Sequence, residues 1–260
     1  MQRIQKNQIV FYQFDNLQKY DSRIAHCVTT RCGKQEEEFF SIKSQPNLVQ
    51  ALKNRKAFCD LISINSDNLL FPDQVHGNKI AVITKYCDAK EKRENGIPEV
   101  DGLMTNLPHI PLMARSGDCP TIGFYDPENN AIAVVHAGWR GTVAEIAMKC
   151  IDKMQETYNT DTKKLIASIA PSIGPCCYVV GEEVRQCALG KEWQKESFFT
   201  KDSQLYFDLW KANSLQLQLA GIPVQNIECA KICTKCHHEE FFSYRIEKGT
   251  GLFGFIICLR

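Results

Sequence analysis

Short apolar runs, bounded by polar and turn-forming residues, alternate along this chain with a few stretches of helical period. Residues 8–14, rich in Ile, Val, Phe and Tyr, and residues 25–30 read as strands. Residues 79–84, 102–105, 111–115 and 121–125 are further strand candidates, and Asp126-Pro-Glu-Asn-Asn130 is a turn that joins 121–125 to 131–135 as a hairpin. Residues 165–170 and 251–259 read as later strands. Residues 48–60 are helix-like, with Leu48, Leu52 and Phe58 along one side. The best-defined helix carries Val143, Ile146, Ala147, Cys150, Ile151 and Met154 as a core-facing stripe. Thr142 and Glu145 form a Thr-x-x-Glu capping box that places its start at Thr142. Leu215, Leu217 and Leu219 alternate as a strand would. A helix is nonetheless expected there, capped by Asp208, with Leu209, Ala212, Leu215 and Leu219 on one face and Gly221-Ile-Pro223 at its end. The sum is an α/β fold, a mixed β-sheet with flanking helices. Its hairpins argue against a purely doubly wound arrangement. No repeat, low-complexity tract or linker divides the chain, so one domain over residues 1–260 is expected, with the charged stretches 34–38 and 90–94 as solvated loops or helix ends.

Composition narrows the classes. At 44% hydrophobic and 23% charged residues the chain is neither disordered nor collagen-like nor a coiled coil. Lys and Arg number 31 against 30 Asp and Glu, a net charge of +1, so no bulk field favours nucleic acid or an anionic membrane as partner. No apolar run approaches the roughly 20 residues of a bilayer span, and the first residues lack the apolar core of a signal peptide. A soluble, cytoplasmic protein is expected. The anomaly is cysteine: 13 residues, an odd number, spread over the whole length. Without a mark of export these thiols should be reduced and serve mostly as small core hydrophobes, with Cys150, Cys187 and Cys258 in buried-looking runs. A minority is left for metal or chemistry.

Three segments could carry chemistry. In Ala131-Ile-Ala-Val-Val-His136-Ala-Gly-Trp-Arg140-Gly-Thr142 a buried strand ends at His136 and turns into a helix. Free N–H groups at a helix start suit an anion, and the Arg140 guanidinium matches phosphate or carboxylate. A capped helix with a surface Arg explains the segment about equally well. Arg115-Ser-Gly-Asp118-Cys119-Pro120 is a polar kink between two strands, and Pro72-Asp-Gln-Val-His76-Gly77 is a His-Gly loop ahead of another. Taken singly, both read most simply as structural. Taken together the three offer His, Cys and His, and two imidazoles with one thiolate and an open fourth position form a known catalytic zinc pattern. Asp118 could orient a ligand or act as base.

The ordered motifs Gln74-Val-His76-Gly, Asp101-Gly-Leu-Met-Thr105, Gly117-Asp118-Cys119-Pro, His136-Ala-Gly-Trp-Arg140-Gly-Thr142, Gly174-Pro-Cys-Cys-Tyr178, Phe207-Asp208-Leu209, Cys233-Thr234 and Phe242-Ser-Tyr-Arg245 closely resemble the YfiH family, also called the laccase-domain or multicopper polyphenol oxidase family. The resemblance runs from about Thr30-Arg31 to the C-terminus. It implies a single α/β domain with a metal, zinc or alternatively copper, on His76, Cys119 and His136. It implies action on purine nucleosides: phosphorolysis of adenosine, inosine, guanosine and methylthioadenosine, and deamination of adenosine. On that reading Cys119, Asp118 and His136 are catalytic, with Asp118 or a nearby His shuttling protons. Arg140 and the helix start at Thr142 take the phosphate. Gln74 and the stretch through Ser243, Tyr244 and Arg245 contact base or ribose. Ser116-Gly117 and Cys32-Gly33 depart from the family pattern, which bears on substrate preference more than on metal.

Other readings compete. Older family labels imply copper-dependent phenol oxidation, though six histidines leave little for a multicopper centre. Some relatives are linked to peptidoglycan-precursor editing. Cys119 with His136 could form a thiol hydrolase. Cys233-Thr-Lys-Cys236-His237 matches a haem-attachment pattern, and Cys233, Cys236, His237 and His238 could form a zinc knuckle. Cys176-Cys177 could be a redox pair, although adjacent cysteines make only strained disulfides and wall residues fit better. A non-enzymatic metal or redox sensor is the remaining class.

Overall fold

In the computed structural model, which describes residues 1–32, 47–85, 95–248 and 251–260, two sheets lie face to face between layers of helix. The first sheet has the order β1-β2-β3-β13-β6, from β1 (Gln2–Lys6), β2 (Ile9–Gln13), β3 (Ile24–Thr29), β13 (Phe253–Leu259) and β6 (Leu112–Ser116), every neighbour antiparallel. The second has the order β12-β9-β7-β8-β5-β4, from β12 (Ile227–Cys229), β9 (Ile166–Ile169), β7 (Thr121–Asp126), β8 (Ala131–His136), β5 (Gly102–Thr105) and β4 (Ile80–Val82). Its outer pairs are parallel and its inner ones antiparallel. A separate hairpin joins β10 (Phe198–Lys201) to β11 (Gln204–Phe207).

Strand side chains alternate between faces, so a strand buried on both sides reads as a continuous apolar run. β8 shows this. Ile132 and Val134 enter the core between the sheets with Phe253, Phe255 and Ile257, whereas Ala131, Ala133 and Val135 face the helix Ile146–Tyr158. On the far side, Phe58 and Cys59 of the helix Leu48–Leu61 pack on Cys27, Met113 and Ile256 of the first sheet. Trp193, Phe207, Leu209 and Ala212 form a smaller core beside the second sheet.

The mixed α/β architecture and the β7–β8 hairpin agree with the sequence reading. The helix faces agree less well. Leu52 is exposed while Ala51, Asn54 and Arg55 are buried, and Leu219 is exposed while Asn213, Gln216 and Leu217 are buried. Cys150 and Cys258 are buried, but Cys187 is exposed. The charged stretches 34–38 and 90–94 lie outside the described residues. No helix among those described is long and apolar enough to cross a membrane.

The helix start moves most. A short helix, Trp139–Val143, follows the strand directly, capped by Gly138, and the chain breaks at Glu145 in the left-handed region (φ 58°) before Ile146–Tyr158 begins. Thr142 is therefore no N-cap. Its N–H goes to Gly138 O, and its hydroxyl donates to Ala137 O at 2.8 Å and accepts from Asn213 Nδ2 at 3.1 Å. The Glu145 carboxylate reaches Lys191 Nζ and Trp193 Nε1 instead of a helix N–H.

Candidate metal centre

Register brings three distant segments to one edge of the second sheet. In the β7–β8 ladder Thr121 stands opposite His136, so Cys119, two residues earlier, lies beside the imidazole. The Ala137 N–H donates to Pro120 O at 2.8 Å and locks that approach. His76 arrives on the loop before β4, its backbone left-handed at φ 62°. Ligand atoms of His76, Cys119 and His136 all lie within 4.8 Å of one another, and the two rings meet edge to face at 4.9 Å between centroids. Gly138 walls the group. A Cβ there would stand 3.0 Å from Cys119 Sγ, 3.3 Å from His76 Cδ2 and 3.4 Å from His136 Cε1, so the cradle depends on its absence.

Asp101, fully buried at the start of β5, holds both histidines. Its Oδ1 accepts from the His76 N–H at 3.0 Å and faces His136 Nδ1 at 2.9 Å, while Oδ2 accepts from the N–H groups of Val75 (3.2 Å) and Gly77 (2.6 Å). With Nδ1 engaged, His136 offers Nε2 to whatever sits between the rings. Burial would raise the Asp101 carboxyl, yet His136 and the Gly77 N–H hold it below its ordinary value. Burial alone would likewise push the Cys119 thiol up, but the facing His136 and His76 bring it down to about 6. Burial opposes charge on His136, but Cys119 and Asp101 outweigh it and raise the ring to about 9. A thiolate is thus ready for a cation, and two nitrogens with one sulfur suit zinc or copper.

Around this group stand Arg140, Tyr178 and Arg245. Burial holds the Tyr178 hydroxyl protonated, and Cys119, Arg245, Asp118 and Arg140 are the charges acting on it. The Arg245 guanidinium lies 5.2 Å from the Tyr178 ring, and that of Arg140 lies 4.2 Å from the Trp139 ring. Neither arginine pairs with a carboxylate among the described residues.

Asp118 sits at the centre with φ 127°. Its Oδ1 accepts from the Thr234 hydroxyl at 2.6 Å and its Oδ2 from the Arg245 N–H at 2.7 Å, while its carbonyl accepts from the Ile173 N–H at 2.7 Å. Both carboxylate oxygens are engaged, so Asp118 ties three segments together before it can serve as a base. Burial pushes its carboxyl above the ordinary value against the Thr234 and Arg245 bonds. Ser243 is buried with its hydroxyl toward the Asp118 carboxylate, whereas Tyr244 is exposed. The departure from family pattern at Ser116 has a local use: its hydroxyl donates to Cys119 O at 2.5 Å.

Two expected contacts are corrected. The Gln74 carboxamide is spent on the Arg115 backbone, with Nε2 donating to its O and Oε1 accepting from its N–H, each at 2.8 Å, so it fixes the His76 loop to β6 rather than facing a base. Thr142 is wholly buried with its N–H and hydroxyl taken, so the anion site placed on it is lost. Asp101, Tyr178, Thr234 and Gly138 are the residues to which sequence reasoning gave no role. All but Gly138 act through partners at least 24 positions away, and Gly138 acts through space left empty. Elsewhere, Cys176 and Cys177 stand beside Cys233 and Cys236, while His237 Nδ1 faces Glu239 at 3.3 Å, outside that group.

A mixed α/β fold carrying a His/Cys group able to hold a metal is the class these observations define. The chain belongs to the multi-copper polyphenol oxidoreductase laccase family, whose sequence profile matches residues 25–260. It is 33% identical to a purine nucleoside phosphorylase of Bacteroides thetaiotaomicron over 94% of this chain and 95% of that protein. It is 31% identical to adenosine deaminase RL5 from an unknown prokaryotic organism over 76% and 77%. The crystal structure of Bacillus licheniformis hypothetical protein YfiH superposes with a TM-score of 0.87 at 26% identity, covering 98% of this chain and 97% of that one.

Proposed function

We propose that this protein is a zinc-dependent purine nucleoside enzyme that cleaves nucleosides with phosphate and deaminates adenosine. The observation that carries the reading is the group of His76, Cys119 and His136 flanked by two arginines without carboxylate partners, in a chain whose relative over nearly its full length is named a purine nucleoside phosphorylase. The donor set and the Gly138 cradle fit a zinc ion, which His76, Cys119 and His136 would hold. Zinc bound there supplies Lewis acidity, making water a stronger acid near neutral pH.

The chain's own residues do the rest. Asp101 fixes His136 through Nδ1 and the His76 loop through three N–H groups, so neither ring reorganises during reaction. Arg140 and Arg245 supply cationic forks for phosphate, and placing that anion against C1′ offsets the positive charge growing on ribose. The Tyr178 hydroxyl, kept protonated, donates to a departing base or amine. The Ser243 hydroxyl, buried beside the Asp118 carboxylate, is offered to ribose or base. Asp118 acts as a positioning residue, holding Arg245 and Thr234 at the rim.

A copper oxidase is less well supported. His26 accepts from the Phe14 N–H, and His109, His237 and His238 belong to no metal-ligating group among the described residues, which leaves no second histidine centre. Mass-spectrometric product analysis with adenosine, with and without phosphate and beside Cys119→Ala, tests the proposal. Adenine with ribose-1-phosphate, or inosine, absent from the variant, is the expected result. No product from folded, zinc-loaded protein would overturn adenosine as substrate.

A further inference from the structure

The second thiol group stands apart from this chemistry. Cys176 and Cys177 lie on a turn closed by N–H bonds from Cys177 and Tyr178 to Gly174 O, and Cys233 and Cys236 lie on a second turn closed by the His237 N–H on Cys233 O. A short parallel bridge, Ser172 against Cys233, lays the two segments side by side. The four sulfurs lie within 4.8 Å of one another, with Cys236 Sγ 3.7 Å from Cys176 Sγ and 3.5 Å from Cys177 Sγ. The Gly174 N–H donates to Cys233 Sγ at 3.2 Å, and the Cys236 N–H adds a second such bond.

These separations are far longer than the roughly 2.05 Å of a disulfide. They sit close to the edge of a tetrahedron whose corners are sulfurs about 2.3 Å from a central zinc, an edge of about 3.8 Å. Backbone N–H groups aimed at one sulfur favour its thiolate, the form that binds metal. Two ligands from each of two turns, with no position left open, are the arrangement of a structural zinc site. Cys176 and Cys236 are exposed, so a metal can reach the group.

We infer that Cys176, Cys177, Cys233 and Cys236 form a structural zinc site of four thiolates, separate from the His76, Cys119 and His136 group. Each Zn–S bond forms as a thiol gives its proton to solvent, with no change of oxidation state. The metal clamps the two segments that border the candidate centre. One carries Ser172, bonded by Trp210 Nε1 at 2.7 Å, and Ile173, which donates to Asp118 O. The other carries Thr234, which donates to Asp118 Oδ1. The assignment is independent of the purine reading, and its test reads no turnover.

Zinc content and zinc X-ray absorption of the full chain carrying Cys119→Ala, loaded with zinc and desalted, isolate this site. The expected result is one zinc per chain with four sulfurs at about 2.3 Å. That zinc should disappear, and the melting temperature fall, when Cys176→Ser and Cys236→Ser are added. In wild-type protein, peptide mapping should find Cys176 and Cys236 shielded from iodoacetamide until a chelator is added. A folded Cys119→Ala protein without zinc, a shell containing nitrogen, a disulfide within the group, or immediate alkylation of Cys176 and Cys236 would each overturn the site.

Discussion

The charge state of Cys119 and His136 shows how one contact sets the readiness of a site. His136, raised to about 9 from 6.5, contributes stability that is full below pH 6.5 and lost as pH rises through 9. Cys119, lowered to about 6 from 9.0, contributes stability that is full above pH 9 and lost as pH falls through 6. The two pH dependences nearly cancel in sum, because folded and unfolded chains bind almost the same number of protons at each pH and differ in which residue holds them. Stability of the metal-free protein should therefore vary little with pH on account of this pair. Thiolate absorbance, taken as the difference between wild type and Cys119→Ser, should appear near pH 6 in the native protein and near pH 9 in denaturant. In a chain carrying Cys176→Ser and Cys236→Ser, zinc loading of the His76, Cys119 and His136 group at about pH 7.5 should release about one proton per ion, from His136, because the Cys119 sulfur is already ionised. Calorimetric titration in buffers of different ionisation enthalpy measures that count. Asp101→Asn replaces an acceptor with a donor facing N–H groups, so zinc affinity should fall about 10–100-fold and stability by about 1–3 kcal/mol, read by competition titration and thermal melting. The ligand types were legible in the sequence. Asp101 was visible as part of a motif, yet nothing local to it reveals that its carboxylate faces residues 24 to 35 positions away.

At the scale of elements, the strand-to-helix turn through His136, Gly138 and Arg140 was readable because a buried apolar run stops at a polar residue and a glycine. The capping box was misread because its two side chains had better partners elsewhere: Ala137 O for Thr142, and Lys191 and Trp193 for Glu145. Local pattern cannot weigh a partner 46 or 48 residues distant. Helix faces failed for a related reason, since Asn213 and Gln216 are buried by bonding to Thr142 while Leu219 is left outside. Gly138→Ala tests the turn directly. A methyl 3.0 Å from Cys119 Sγ displaces the thiolate, and turnover should drop on the order of a hundredfold while far-ultraviolet dichroism stays unchanged.

For the whole molecule, the alternation of strands with a few helices was enough to place the fold in the mixed α/β class. The sheet order was not legible, because β13 pairs with β3 and β6 across more than a hundred residues. The two sheets meet closely where β7 crosses β13: a Cβ on Gly123 would lie 2.5 Å from the Phe255 ring. Gly123→Ala should cost about 1–3 kcal/mol by overpacking, measured as a lowered denaturation midpoint, and Phe255→Leu in the same chain should recover part of it.

The position of β13 also bears on synthesis at the ribosome. Residues 253–259 fill the gap between β3 and β6, so the first sheet stays in two pieces until residue 259 has left the exit tunnel. Arg245 and Thr234, which grip Asp118, emerge only shortly before. A nascent chain that stalls early therefore carries His76, Cys119 and His136 on their Asp101 frame while Asp118, beside Cys119, still lacks the grip of Thr234 and Arg245.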